Sequence, residues 1–174
     1  YDFNGIDNKM EGKYRYGHFD GVATIIKKLF DIIKPNKAYF GEKDYQQLLI
    51  VKKLVNILGL PISIVGCPIH RNDQGLALSS RNTRLTSAEK SYASRIYEIL
   101  LSTKELFQYQ QLTEIKAWVK DQFLKDSIID LEYFEIADNL TLTSASTINQ
   151  STKYRAFIAV KINNIRLIDN IALN

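Results

Sequence analysis

One cysteine and two histidines are all that this 174-residue chain holds of thiol and imidazole chemistry. Cys67 has no partner for an internal disulfide, which fits a reducing cytoplasm. At the end of an apolar run it reads as a small buried hydrophobe. His18 and His70 form no Cys/His cluster with metal-ligand spacing, so no structural zinc is expected. Neither sits beside an obvious Ser or Cys nucleophile, and a hydrolase triad is unsupported. No apolar run reaches about 18 residues, so no membrane span is expected. The opening YDFNGIDNKMEGK lacks the basic stretch and apolar stretch of a secretory signal. It does not start with Met and opens in the middle of a pattern, which suggests a piece of a longer protein. Internal repeats and low-complexity tracts are also missing.

What is present is 45% hydrophobic content, enough for one ordinary core or two small ones. The net charge is +4 with a pI near 9.0. Nucleic-acid binders concentrate such charge in a patch. Here Lys27, Lys28, Lys52, Lys53 and Lys120 are spread at helix-exposed spacing, so solvated helix faces explain them better. A modest positive balance also suits a small anionic substrate.

Residues 1–17 read as polar connection, with Tyr1-Asp2-Phe3 as a strand end and EGKYRYGH as a loop broken by Gly12 and Gly17. Asp20 is a candidate helix cap. Val22, Ile26, Leu29 and Ile33 repeat at helical spacing until Pro35. Ala38–Phe40 reads as a strand. Leu48, Val51, Leu54, Val55 and Leu58 form the stripe of the next helix, with Gly59 as its C′ residue and Pro61 beyond. Ile62–Val65 is a second strand. Strand, helix and strand in this order form a right-handed parallel crossover by default. Residues 20–66 therefore read as half of a doubly wound sheet.

After Cys67–Arg71 the pattern changes. Pro68 to Thr86 is a long loop, and such loops are often functional. Thr86-Ser87-Ala88-Glu89 is a capping box opening a helix to about Leu106. A second helix is expected from about Thr113 to Lys125. Residues 128–137 read as a strand. Tyr154 to Ile162 alternates, Phe157, Ala159 and Lys161 against Ile158, Val160 and Ile162. Asn163-Asn164 is a hairpin signal, and Ile165–Asp169 closes it. The fold class expected is α/β for residues 1–69, followed over 70–174 by a small α+β domain with an antiparallel sheet.

Two stretches carry candidate chemistry. In YFGEKDYQQ a strand ends at Gly41, and Lys43 and Asp44 precede a helix. Ligands bind beyond the carboxyl ends of strands in open parallel sheets, and an ammonium at a helix start suits phosphate. Asp44 could cap the helix with Gln47 in the reciprocal position, accept from ribose hydroxyls, or hold a metal through water. Gln47, one turn along from Lys43, could face the same ligand or solvent. In GLALSSRN, Ser79, Ser80 and Arg81 make a polyphosphate clamp or a helix-start turn. Gly75, Asn72 and Asp73 imply a sharply turned or mobile loop upstream. Together the two stretches read as the walls of a nucleotide site.

GHFDGVATIIKKLF, FGEKDYQQL, GLALSSRN and a terminal RLIDN, in this order, resemble the pantothenate synthetase (pantoate–β-alanine ligase) family over essentially the whole chain. The family's complete chain begins with about a hundred further residues, including the HxGH-type signature of the nucleotidylyltransferase superfamily. The resemblance therefore implies the C-terminal half of a Rossmann-like nucleotidylyltransferase domain plus a complete C-terminal lid domain. It implies that pantoate attacks ATP to give pantoyl adenylate and pyrophosphate, and that β-alanine then displaces AMP. Magnesium accompanies ATP. It further implies a cytoplasmic homodimer with small-molecule substrates and neither nucleic-acid nor membrane partners. Carried over by motif, Gly41, Glu42, Lys43, Asp44, His70, Leu78, Ser79, Ser80 and Arg81 bind ATP, with His70 acting through its backbone. Lys43, Ser79, Ser80 and Arg81 are the catalytic group. Gln47 binds pantoate, and Arg15 and His18 lie near the site.

One departure is visible: Tyr16 stands where the family usually has proline. Another nucleotidylyltransferase of the superfamily, or a non-catalytic folded fragment, remains an alternative. An incomplete sheet would also expose an apolar edge and face.

Overall fold

Two strands pair in parallel in the first part of the chain, and three pair antiparallel in the second. The computed structural model describes residues 1–124, 126 and 128–174. The chain divides into two compact units, Tyr1–Pro68 and Ile69–Asn174. The first carries helices α1 (Met10–Tyr14) and α2 (His18–Ile33), strand β1 (Lys37–Gly41), helix α3 (Tyr45–Ile57) and strand β2 (Ser63–Cys67). The second carries helices α4 (Ser87–Leu106) and α5 (Leu112–Leu124) and strands β3 (Ile129–Asp138), β4 (Tyr154–Ile162) and β5 (Ile165–Ala172). Among the described residues no helix is long and apolar enough to cross a membrane.

In the first unit β1 and β2 run parallel, Ala38 facing Ile64 and Phe40 facing Gly66. Helix α3 connects them, as the apolar run, turn and helical stripe require. Its end is a complete Schellman motif: the Leu60 N–H donates to Val55 O and the Gly59 N–H to Asn56 O. Leu48, Ile50, Val51 and Leu54 are fully buried along α3.

Several local expectations fail here, for identifiable reasons. Tyr1–Phe3 is not a strand, and the expected loop after it contains α1. Gly12, expected as a breaker, lies inside α1, where an added Cβ would collide with the Asp7 carbonyl. Buried Gln46 on α3 organises this segment. Its amide donates to the carbonyls of Ile6 and Lys9, both at 2.7 Å, and accepts from the Glu11 N–H at 3.1 Å. Helix α2 starts at His18 behind Gly17, so Asp20 lies in the first turn and is not the cap. Its buried stripe is Phe19, Ala23, Ile26 and Phe30. Leu29 and Ile33, expected inside, are exposed together with Ile25 and Ile32. The helix is apolar over a wide arc, and the two phenylalanines bias which part faces α3.

The second unit is a three-stranded sheet in the order β3-β4-β5, packed on α4 and α5. Ile96, Leu100, Ile115, Val119, Ile136, Ile158, Val160 and Ile162 fill its core. The capping box at Thr86 is complete, with Thr86 and Glu89 each satisfying the other's backbone N–H. Helix α5 is described to Leu124; Lys125, the expected last residue, lies outside the described residues. Strand β4 has its expected bounds, but alternation does not translate into alternating exposure. Phe157 and Ala159 are buried although they point away from the core set. As a central strand, β4 is shaded from both sides, and Ala159 lies between Tyr133 and Ile168. Asn163 turns the hairpin at φ 51°. Strand β5 then continues past Asp169 to Ala172.

The register of β3 against β4 shifts between Leu131 and Tyr133, leaving Glu132 as the extra residue of a bulge. The bulge aims Glu132 at two cations of the same sheet, Arg166 Nε on β5 at 2.7 Å and Lys161 Nζ on β4 at 3.2 Å. Burial alone would raise this carboxyl. The hydrogen bonds and charges of Arg166 and Lys161 outweigh it and hold the group below its ordinary 4.5. Between the folded and unfolded values the unfolded chain binds more protons, so stability rises with pH there. The contribution is complete above the ordinary value and is lost as pH falls through the folded one. Urea unfolding midpoints taken between about pH 3 and pH 6 should therefore fall more steeply on the acid side in wild type than in Glu132→Gln.

Candidate functional site

The first candidate stretch is a turn at the carboxyl end of β1. Glu42–Asp44 forms one turn of 3₁₀ helix, and α3 begins at Tyr45. Gly41 is exposed, with φ −68° and ψ 132°, and an added Cβ would meet nothing within 4 Å. Its backbone therefore faces open space. Asp44 occupies the N-cap position of α3 but makes no side-chain cap hydrogen bond, so the reciprocal cap with Gln47 is absent. The exposed carboxylate is left to face solvent or a ligand. Lys43 belongs to the 3₁₀ turn, not to α3, so it and Gln47 do not share one continuous helix face. Glu42 is half-buried and lies against β2, with its Oε1 3.3 Å from the place a Gly66 Cβ would take.

The two adjacent glutamines have separate jobs. Gln46 is consumed by the backbone of residues 6–11, as described above. Gln47 is half-buried and carries no side-chain hydrogen bond among the described residues. The sequence had no signal to mark Gln46 as the structural one, because its partners lie 35–40 residues upstream.

Arg15 and His18 flank a four-residue turn in which the His18 N–H donates to Arg15 O at 3.0 Å. Gly17 has φ 71° and ψ 0°, the geometry of the third residue in a type II turn. Tyr16 is then the second residue, where such turns favour proline. The departure from the family pattern thus removes a restraint while Gly17 keeps the turn. His18 lies against Phe19, the ring centroids 5.0 Å apart.

The second candidate stretch begins with a tight hairpin. The Leu78 N–H donates to His70 O at 2.9 Å, and Arg71 pairs with Ala77. Asn72 Oδ1 accepts from the N–H groups of Gln74 and Leu76. Gly75 turns at φ 87°, and a Cβ there would lie 2.4 Å from the Tyr97 ring. The chain leaves the hairpin directly into Ser79, which caps a 3₁₀ turn over Ser80–Arg84 by accepting from the Arg81 N–H at 3.2 Å. Ser79 therefore serves the turn with an oxygen lone pair and keeps its O–H as a donor.

Ser80 and Arg81 are exposed, and Leu78 is exposed at the rim. A groove of about 580 Å³ is lined by Leu76, Leu78, Ser79, Ser80, Asn82 and Lys90, among others. Asn82 and Lys90 line this groove and were not among the site candidates read from the sequence. Asn82 donates from Nδ2 to Ala77 O at 3.1 Å, while its buried Oδ1 has no hydrogen-bond partner among the described residues. Lys90 adds a cation from the first turns of α4. Its place beside Ser79 depends on the long loop folding back, which no local pattern reveals.

The chain matches the family model described as Pantoate-beta-alanine ligase over residues 2–172. It belongs to that family. Pantothenate synthetase of Christiangramia forsetii is 51% identical over all of this chain and 62% of the relative. That of Flavobacterium psychrophilum is 53% identical over 99% of this chain and 61% of its own length. Among solved structures, pantothenate synthetase of Thermus thermophilus superposes with a TM-score of 0.89 at 37% identity, covering 97% of this chain and 60% of that one. A pantoate–β-alanine ligase of Francisella tularensis, complexed with beta-gamma ATP and β-alanine, matches with a TM-score of 0.72 over 97% of this chain and 55% of its own. The chain thus spans about 61% of the length of the curated pantothenate synthetases it matches. The α/β first unit and antiparallel second unit are those of the ligase family.

The turn at Arg15–His18 yields a direct test. Tyr16 is fully exposed, and no hydrogen bond of its N–H to the backbone is seen among the described residues. Tyr16→Pro should stabilise the ligase-family chain by about 0.4–1 kcal/mol, chiefly by restricting the unfolded state. Chemical denaturation of both proteins measures it, and a loss of stability would show that the turn is not type II at this residue.

Proposed function

We propose that this chain supplies the C-terminal half of the nucleotide domain and the lid of an enzyme that condenses pantoate with β-alanine at the expense of ATP. The observation that carries the reading is the family match running through both turns, Gly41–Asp44 beyond β1 and Ser79–Arg81 beyond the hairpin. In the first step a pantoate carboxylate oxygen attacks the α-phosphorus of ATP, pyrophosphate leaves and pantoyl adenylate forms. In the second the β-alanine amine attacks the acyl carbon, and AMP leaves with the C–O electron pair. Catalysis is mainly positioning and charge stabilisation.

The exposed Gly41 backbone and Asp44 carboxylate take the ribose, and Glu42 borders them. Lys43 neutralises phosphate oxygens, and Gln47 hydrogen-bonds pantoate. In the other unit the Ser79 O–H, the Ser80 hydroxyl and the Arg81 guanidinium hold phosphate oxygens, while the His70 backbone and Leu78 border adenine. Arg15 and His18 lie beside this machinery and are given no step. Magnesium enters with ATP. Mg²⁺ is commonly held mostly by substrate phosphates and water, so no all-protein metal cage is required of this chain. The complete enzyme is proposed to be a cytoplasmic homodimer, as the family resemblance implies.

No HxGH sequence occurs in these residues, since the histidines stand at positions 18 and 70 only. The 174-residue chain alone is therefore expected to give no pantothenate. The same chain preceded by the remaining portion of the Christiangramia forsetii relative should release AMP in a pantoate-dependent manner and form pantothenate. Turnover by the short chain would remove the need for that portion. No turnover by the long one would overturn the reading.

Within the complete enzyme, Lys43→Ala should slow both half-reactions by roughly 10²–10³, the cost of about 2.7–4 kcal/mol for losing one preorganised charge at developing negative oxygens. Replacing Gln47 should instead raise the apparent KM for pantoate and spare ATP. Single-turnover rates for adenylate formation and for β-alanine capture make the measurement. Rates within about threefold of wild type, under ~1 kcal/mol of barrier, would mean that Lys43 is not the phosphate ligand.

A further inference from the structure

The RLIDN segment, singled out in the sequence but given no task by the reaction, lies on β5 and takes part in a buried polar network of the second unit. Asp169 is 5% exposed. Arg71 meets it with both terminal guanidinium nitrogens, Nη1 to Oδ2 at 2.6 Å and Nη2 to Oδ1 at 2.9 Å. The same Nη1 donates to Gly75 O at 2.9 Å, across the hairpin from Arg71 itself. Above the guanidinium, Cζ lies 3.8 Å from the ring centroid of Tyr97 on α4. That ring also packs on Gly75, so closely that a methyl group there would not fit. Asp169 Oδ1 additionally accepts from the Asn170 N–H at 2.8 Å.

The geometry points to a positioning role: the Arg71–Asp169 pair sets the Ser79-Ser80-Arg81 turn for ATP without touching the nucleotide. The inference rests on the function proposed above for that turn. Arg71 and Ala77 are paired across the hairpin, and Leu78 closes it against His70. Whatever fixes Arg71 therefore fixes the residue from which Ser79 departs. Asn82 ties the far side of the turn back to Ala77. The turn is thus held at both ends by the hairpin, and the hairpin is held by one fork clamped on β5 and roofed by Tyr97. A bidentate guanidinium–carboxylate pair fixes distance and orientation together, which a lysine or an apolar contact does not.

The test uses the complete enzyme, with Arg71→Lys, Arg71→Met and Asp169→Asn compared with wild type by KM for each substrate, kcat and thermal midpoint. Loosening one charge-assisted hydrogen bond to a phosphate oxygen weakens binding about tenfold or more, so the KM for ATP should rise by about that factor in Arg71→Met and Asp169→Asn. The KM for pantoate should stay within about twofold, since Gln47 belongs to the other unit. Arg71→Lys keeps the charge without the fork and should fall between. A latch with a purely structural role would lower the thermal midpoint and the active fraction while leaving the KM for ATP of the folded enzyme unchanged, and that result overturns the inference. If Arg71→Met does not fold, Arg71→Lys and Asp169→Asn make the same comparison. Wild type without pantoate-dependent AMP release overturns the function reading and this inference with it. Active wild type with an unmoved KM for ATP in the variants overturns the inference alone.

Discussion

A carboxylate left with 5% of its surface in water must be answered within hydrogen-bond reach, and Asp169 is answered by Arg71. The apolar core explains why the helices and sheet of the second unit pack. It does not explain why an irregular stretch between Ile69 and Thr86 holds one shape, since most of that stretch is exposed. That task falls to the buried pair, to the tyrosine above it and to the Asn82 amide. The first unit solves the same problem with a neutral group. Gln46, 4% exposed, binds the backbone of the irregular opening segment three times. In both units regular elements are fixed by burial and irregular ones by a single buried polar side chain from a remote element. Leaving either side chain without its partners would strand a desolvated polar group, which is why such contacts decide geometry more sharply than their net energy suggests.

Much of this was legible because its causes are local. The capping box at Thr86, the Schellman end of α3, the hairpin at Asn163 and the bounds of β4 each depend on a few consecutive residues. The turns at Gly41–Asp44 and Ser79–Arg81 were visible for the same reason. What was not legible has distant causes. Helix α1 has only five residues with a glycine in its middle, and nothing local makes it helical; Gln46 does. The exposed Leu29 and Ile33 look like core on a helical wheel, and only the packing of Phe19 and Phe30 shows otherwise. The cap expected from Asp44 fails because a 3₁₀ turn precedes α3 and sets Asp44 at φ −97° and ψ 57°. Arg71 and Asp169 are 98 residues apart, and neither carries a local sign of the other.

That separation has a consequence for the order in which the protein is made. Translation proceeds at roughly 5–20 residues per second, so the hairpin of residues 70–78 is synthesised about 5–20 s before its anchor on β5. During that interval the guanidinium of Arg71 has no carboxylate to grip, and the turn beyond it has no fixed origin. Closing so long a loop is also slow by topology, because the entropy of bringing its ends together is lost before the contact forms. The nascent chain therefore carries the turn over Ser79–Arg84 without its anchor until β5 has joined the sheet.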